Sequence, residues 1–480
     1  MGDLRTLLRS PSLQRLAGYG AATGCGALAT LLAVPLLVRL LGLDEFGTWS
    51  LLEPLLVIGA MIALCGVEHG VIKQAAHDGT SIRKVVGDLL PAVLLVILLV
   101  DLIGATVLHW WFGAAVSLLV AGLVAAEALL TLITTAYRSA DRLALYSVGQ
   151  AGRSVSFLIV LAVMAMLSPA GRTPVETLLG VRLALVLALA LALIAALRPR
   201  PRWRPDRHAD ARTYGVFILL TGLMGQVLEN CDRYLLAGHA SIAEVGGYVL
   251  HIKLATIVVQ GVTTPFMIWF PMERFRHFND SDGGDRFFGT VAFLMLTALL
   301  LAAGIVWFSA PLLLGWFAPE IPYAPGVLLL LLAGVVAVGM SYPLNVGLLK
   351  PGFTHLNLIA SAAGLTGALV LSVLLVPALG MIGGAGAKAA ATLVFTAVLC
   401  GLSQRVHRVN FRFARLALLS AAAMALGVII ERFAGGGELP AVIGKSLTYA
   451  CGLLVIAFLL SGRREGFRVA LARADGRVDG

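Results

Sequence analysis

The sequence predicts an all-α polytopic membrane protein of about fourteen transmembrane helices, built as two six-helix pseudo-symmetric bundles plus two C-terminal helices. Three observations predict it. The chain of 480 residues is 59% hydrophobic and 13% charged, which leaves too little polar surface to cover a soluble core. Its apolar runs reach about 20 residues, the length a helix needs to cross a hydrocarbon core of roughly 30 Å with all backbone hydrogen bonds made internally. Short motifs of the first half also return, in the same order, in the second.

The apolar runs fall near 14–41, 46–73, 85–109, 113–137, 143–167, 175–197, 213–237, 245–270, 286–310, 324–349, 354–376, 381–402, 412–432 and 440–461. Ahead of them, Leu4-Arg5-Thr6-Leu7-Leu8-Arg9 has apolar and basic residues at helical spacing, as in a short interfacial helix or equally a frayed tail. The first run passes into the second without an Ala-x-Ala-like stop, so no cleavable signal peptide is expected. The five cysteines, Cys25, Cys65, Cys231, Cys400 and Cys451, lie in or beside apolar runs. They lack C-x-x-C spacing, so neither a disulfide framework nor a zinc site is indicated.

The net charge of +10 is not the footprint of nucleic-acid binding, because the basic residues collect in alternate short loops. Arg5, Arg9 and Arg15 lie in the N-terminal tail and at the very start of the first run. Lys73, Arg83 and Lys84 follow the second, and Arg138 and Arg142 the fourth. The central loop RPRPRWRPDRHADAR carries six arginines from Arg198 to Arg212. Arg274, Arg276, Arg286, Arg405, Arg408, Arg412, Arg415 and the arginines from Arg463 to Arg477 continue the alternation. The opposite loops hold few, such as Arg172 and Arg432. This positive-inside pattern places both termini on the cytoplasmic side of the membrane. The basic loops serve chiefly as topology determinants and can also meet anionic lipid head groups.

The central loop is the seam of the repeat. An N-terminal bundle is expected over 1–197, a basic cytoplasmic linker over 198–212, a C-terminal bundle over 213–402, and two last helices with a basic tail over 403–480. Each half starts on the same side, which makes the repeats parallel. Arg39-Leu-Leu-Gly-Leu-Asp-Glu-Phe-Gly47-Thr-Trp49 is echoed by Arg233 to Glu244-Val-Gly246-Gly-Tyr248: a basic residue, an apolar turn, an acid, a bulky apolar residue, glycine and an aromatic. Tyr137-Arg138-Ser-Ala-Asp141-Arg142 matches Leu349-Lys350-Pro-Gly-Phe353-Thr354. Gly180-Val181-Arg182 matches Gly386-Ala387-Lys388.

RLLGLDEFGTWSLL resembles the first hairpin of the prokaryotic polysaccharide-biosynthesis exporters. These are the oligosaccharide-lipid flippases of O-antigen and exopolysaccharide pathways, in the multidrug/oligosaccharidyl-lipid/polysaccharide exporter superfamily. Leu379-Gly380-Met381-Ile382-Gly383-Gly384-Ala385-Gly386-Ala387 is similar to that family's glycine-rich start of the twelfth helix. The resemblance spans all fourteen runs. It implies a two-bundle transporter, not an enzyme, that moves a polyprenyl-diphosphate-linked oligosaccharide from the inner to the outer leaflet by alternating access. A polysaccharide polymerase and chain-length machinery are the partners it implies. The multidrug branch of the superfamily usually has twelve helices, and a cation-coupled small-molecule exporter of the same fold is the alternative.

Ionisable residues inside membrane helices face a bundle interior or a wet cavity, because exposing them to lipid costs from a few to more than ten kcal/mol. Glu53, Asp101, Glu127, Arg153, Arg182, Glu229, Lys253 and Lys388 lie well inside the runs, and Asp232 and Arg233 near an end. Polar stripes at steps of three and four residues accompany them, such as Lys253, Thr256, Gln260 and Thr264, or Ser147, Gln150, Arg153 and Ser154. Arg182 and Lys388 occupy matching places in the repeat. Arg153, Arg182, Lys253 and Lys388 are therefore the expected clamp for a diphosphate head group, which carries about two negative charges and needs cations in a low-dielectric site. The bland alternative is internal pairing, Arg182 with Glu176 or Lys253 with Glu53. Glu53, Asp101, Glu127 and Glu229 are candidates for proton or sodium coupling and equally for salt-bridge partners. Arg39 and Arg233 are expected to snorkel to the outer interface, where Trp49, Trp110, Trp111 and Trp316 form an aromatic belt. Gly20 and Gly24 have the G-x-x-x-G spacing of close helix packing. No P-loop occurs, so ATP is not the expected drive. An integral-membrane transferase would need an acidic or histidine cluster in a surface loop, and the loops are short and basic.

Overall fold

The computed structural model describes residues 11–67, 81–167, 172–203, 209–277, 284–319, 321–349, 355–433 and 438–461. Leu4 to Arg9, Lys73, Lys350 to Thr354 and Arg463 to Arg477 lie outside the described residues. Among those described the chain is helical, with no strand. The helices are α1 (Pro11–Leu64), α2 (Ile82–Ser139), α3 (Leu143–Leu167), α4 (Val175–Leu197), α5 (Ala209–Ala237), α6 (Ile242–Val258), α7 (Thr264–His277), α8 (Asp285–Phe317), α9 (Pro325–Leu344), α10 (His355–Val406), α11 (Phe413–Phe433) and α12 (Leu439–Leu460). A π-helical turn, Val259–Thr263, joins α6 to α7.

Among the described residues ten helices are long and apolar enough to cross a membrane, where a fourteen-span chain is expected from the apolar runs. Three of them, α1, α2 and α10, are each two helical segments meeting at one glycine. Gly42, Gly113 and Gly380 have φ of 74°, 80° and 54°, a region open to glycine and costly for residues with a Cβ. Each glycine reverses the chain. A Cβ on Gly383 would collide with the carbonyl of Leu375, whereas eight residues of unbroken helix span about 12 Å. In α1, Thr30 bonds Ser154 and Trp49 stacks on Phe157 of the same helix, so 43–64 runs back beside 11–41. In α2, Gly87 lies against Arg200 while Tyr137 bonds Leu193, both at the C-terminal end of α4.

Helices this apolar gain little from a hydrophobic drive within lipid, so packing and interhelical hydrogen bonds hold them together. Two compact units result, one of Arg15–Asn230 with Ala240–Gly247, the other of Met1–Gln14, Cys231–His239 and Tyr248–Gly480. In the first, the Tyr137 hydroxyl donates to the Leu193 carbonyl at 2.8 Å and α1 packs on α3. There a Cβ on Gly26 would approach the Gln150 carbonyl at 3.1 Å, while Gly24 faces open space. On this stretch of α1 close approach to α3 therefore falls on Gly26 rather than on Gly24. The matching glycines Gly47 and Gly246 also abut: a Cβ on Gly246 would lie 3.3 Å from the Gly47 nitrogen. In the second unit, Thr396 donates to the Ala337 carbonyl at 2.9 Å, fixing α10 to α9. Tyr449 of α12 donates to the Leu300 carbonyl of α8 at 3.2 Å.

Two sequence expectations are corrected. Trp49 is not in an interfacial belt: it is 3% exposed, whereas Trp110, Trp111 and Trp316 are exposed. Arg39 is exposed, but Arg233 is buried, with an Nε that has no hydrogen-bond partner among the described residues. Arg233 follows Asp232 on α5 and is held in the packed interior, so it does not snorkel.

Candidate functional site

Each compact unit holds two of the four cations singled out by sequence. In the first, the second segment of α2 brings in Glu127, α3 brings Arg153 and α4 brings Arg182. Each carboxylate oxygen takes one guanidinium. Arg153 Nη1 donates to Oε2 at 2.8 Å and Arg182 Nη2 to Oε1 at 3.1 Å. The Arg182 guanidinium also lies 5.6 Å from the centre of the Trp49 ring, and Trp49 stacks on Phe157. Arg182 is thus ion-paired, as the alternative reading had it, but with Glu127 and not with Glu176. Six residues of α-helix turn the chain through about 240°, so Glu176 and Arg182 face different ways on α4.

The charge balance of this cluster is uneven. Two guanidiniums share one carboxylate, which leaves one positive charge in excess inside a membrane bundle. Glu127 has a side-chain exposure of 8%, whereas Arg153 retains 35% and Arg182 21%. A guanidinium has five N–H donors, and each arginine directs one at Glu127. Their other donors have no protein acceptor among the described residues. The arrangement is a pair of forks held open on a fixed acid, suited to a multidentate anion.

The second unit holds a balanced cluster. Lys388, on the second segment of α10, lies with Nζ 3.5 Å from Asp232 Oδ2 of α5. The Tyr248 hydroxyl of α6 donates to the same oxygen. Asp232 Oδ1 is buried with no hydrogen-bond partner among the described residues. Gly384 packs beside the cluster, where a Cβ would make ordinary contact at 3.4 Å from the Tyr248 oxygen and 3.8 Å from the Asp232 Cβ. Lys253 is half-buried on α6, five residues beyond Tyr248. Among the carboxylates singled out for coupling, Glu127 is the shared acid described above. Glu53 is half-buried on α1 and Glu229 exposed on α5. Asp101 is half-buried on the first segment of α2, and its Oδ1 has no partner among the described residues. No group of three or more metal-ligating side chains occurs among the described residues. His251 accepts from the Ala324 amide at 3.2 Å. Asp232 and Tyr248 are the members that sequence reasoning missed, although the match of Tyr248 to Trp49 pointed at one of them.

Residues 36–317 match the family described as "Polysaccharide biosynthesis protein", a stretch that contains the whole Glu127 cluster and more than half of the chain. The chain belongs to the polysaccharide biosynthesis protein family. Among curated proteins, none matches it. Solved structures with the same fold include two transporters. One is a lipid II flippase, MurJ, in an inward closed conformation, with TM-score 0.63, 11% identity, and 96% of this chain and 99% of that chain covered. The other is the MATE multidrug transporter DinF-BH, with TM-score 0.53, 14% identity, and 83% and 97% covered. At such identities the likeness is one of architecture. This member of the polysaccharide biosynthesis family is a multi-pass membrane protein with the fold seen in a lipid II flippase and a multidrug transporter.

Proposed function

We propose that this protein is a flippase that moves a polyprenyl-diphosphate-linked oligosaccharide across the bacterial inner membrane by alternating access, with both termini cytoplasmic, for polysaccharide assembly. The observation that carries the proposal is the excess positive charge of the Arg153–Glu127–Arg182 cluster inside a membrane bundle. An uncompensated charge there is costly, and a diphosphate supplies about two negative charges with multiple acceptors. Arg153 and Arg182 form the first part of the head-group clamp. Lys253 and Lys388 form the second, with Lys388 held on Asp232 until an anion competes for it. Glu53, Asp101, Glu127 and Glu229 are the candidate carboxylates for proton or sodium coupling. The fold shared with a multidrug transporter favours, as second reading, a cation-coupled small-molecule exporter. That reading asks for an acid-lined site, and the first cluster has its excess in the other sign.

The test is a triple variant, Arg153→Gln, Glu127→Gln and Arg182→Gln, which removes the anion site without stranding a buried carboxylate. Membrane levels should be retained while lipid-linked oligosaccharide accumulates on the cytoplasmic leaflet and polymer is lost. Normal polymer in cells that carry the triple variant would sink the proposal.

A further inference from the structure

The stretch that follows α4, Arg198-Pro-Arg-Pro-Arg202-Trp203, is seated on the start of α2. Arg198 ends α4 in the left-handed region, its N–H bonded to the Ile194 carbonyl. Its own carbonyl accepts from Arg83 Nε. Four residues on, the Arg202 N–H donates to the Gly87 carbonyl at 2.9 Å. The chain between them crosses Gly87 so closely that any Cβ there would collide with the Arg200 carbonyl. Pro199 and Pro201 fix φ and have no N–H to satisfy. The backbone of this strap is thus anchored at both ends, and its side chains are free to face outward.

Arg198, Arg200, Arg202, Arg83 and Lys84 are all exposed, and none of the five is in an ion pair among the described residues. An extended chain from Arg198 to Arg202 spans at most about 14 Å, within two Debye lengths at physiological salt, so the fields of these cations add. Trp203 follows directly and is 60% exposed. Ile82 begins one membrane span and Leu197 ends another, which puts the strap at head-group depth, where tryptophan and arginine favour the interface. Setting topology requires only basic residues near a span. It does not require a glycine seat that fixes the backbone carrying them.

We propose that this strap is a docking surface for anionic phospholipid head groups, with Arg198, Arg200 and Arg202 holding the phosphates and Trp203 lodged beside them. The surface is separate from the Arg153–Arg182 cluster and does not depend on what the protein transports. An acidic lipid is the occupant because five cations converge at the lipid boundary, each basic residue near a charged membrane strengthening attachment by roughly fivefold.

The experiment uses the purified full chain in nanodiscs of phosphatidylcholine with graded phosphatidylglycerol. The fluorescence of Trp203, taken as the difference from Trp203→Phe, is quenched with brominated phosphatidylglycerol or brominated phosphatidylcholine. Phosphatidylglycerol is expected to quench at a several-fold lower mole fraction. That preference should fall roughly fivefold for each arginine replaced by glutamine at 198, 200 and 202. Gly87→Leu keeps every charge and denies the strap its seat, and it should also weaken the preference. Where Gly87→Leu does not yield folded protein, the triple glutamine variant, changed only at exposed side chains, decides. Equal quenching by the two lipids, an unchanged preference in the triple variant, or quenching relieved only by soluble polyphosphate would overturn the proposal.

Discussion

The Arg182 guanidinium lies 5.6 Å from the centre of the Trp49 ring. The residues that match this pair in the second half, Lys388 and Tyr248, converge on one oxygen of Asp232. In each half an aromatic residue and a cation, distant in sequence, reach one cluster. That coincidence supports the duplication inferred from the motifs. The clusters differ in their ion pairs among the described residues: the first sets two cations on Glu127, the second Lys388 on Asp232.

Glu127→Gln should destabilise the protein by about 3 kcal/mol, the scale for breaking a buried ion pair from one side. The partial exposure of Arg153 softens its share of that loss. A lower unfolding temperature in detergent would register it, and Glu127→Asp should recover part. An unchanged unfolding temperature would mean that the carboxylate does not hold the arginines.

Lys388→Met and Asp232→Asn should each cost about 3 kcal/mol alone, because each strands a buried polar or charged partner, and much less together. The stable double variant then separates two roles for Lys388. Loss of polymer export with normal folding assigns it to the cargo; normal export makes it structural.

Gly380→Val should cost roughly 1–2 kcal/mol, since φ of 54° brings a Cβ against the backbone whatever the surrounding space. Gly24→Ala, in open space on an ordinary helical backbone, should cost nothing measurable. Equal thermal stability for the two variants would contradict the reversal at Gly380.

Tyr137→Phe removes a fully buried hydroxyl that donates to the Leu193 carbonyl at 2.8 Å. The expected loss is about 1 kcal/mol, read as a modest drop in unfolding temperature with activity retained. A loss of activity without a loss of stability would give Tyr137 a role other than fixing α2 to α4.

Helix positions were legible in the sequence because span length is set by bilayer thickness, whereas the residues that turn the chain, Gly42 and Gly113 among them, were not singled out. The cations of the site were legible too, since an arginine such as Arg153 or Arg182 in an apolar run demands an explanation. Their partners were not. Arg182 had an acid six residues away on its own helix, but helix geometry turns Glu176 aside, and Glu127 reaches it only when three helices pack. Asp232 has Arg233 beside it in sequence, yet adjacent residues on a helix point apart, and its cation is Lys388, 156 positions along the chain. Glu127 had one signal: it is the lone acid of an otherwise apolar run.

The reversals at Gly42, Gly113 and Gly380 turn three helical pairs about with single residues, so hardly any polypeptide protrudes at those corners. A protease has nothing there to cleave and an antibody little to grasp, and an inserted epitope or fluorophore would have to unwind a helix to fit. Site-directed labels belong elsewhere, at positions such as the exposed strap after α4.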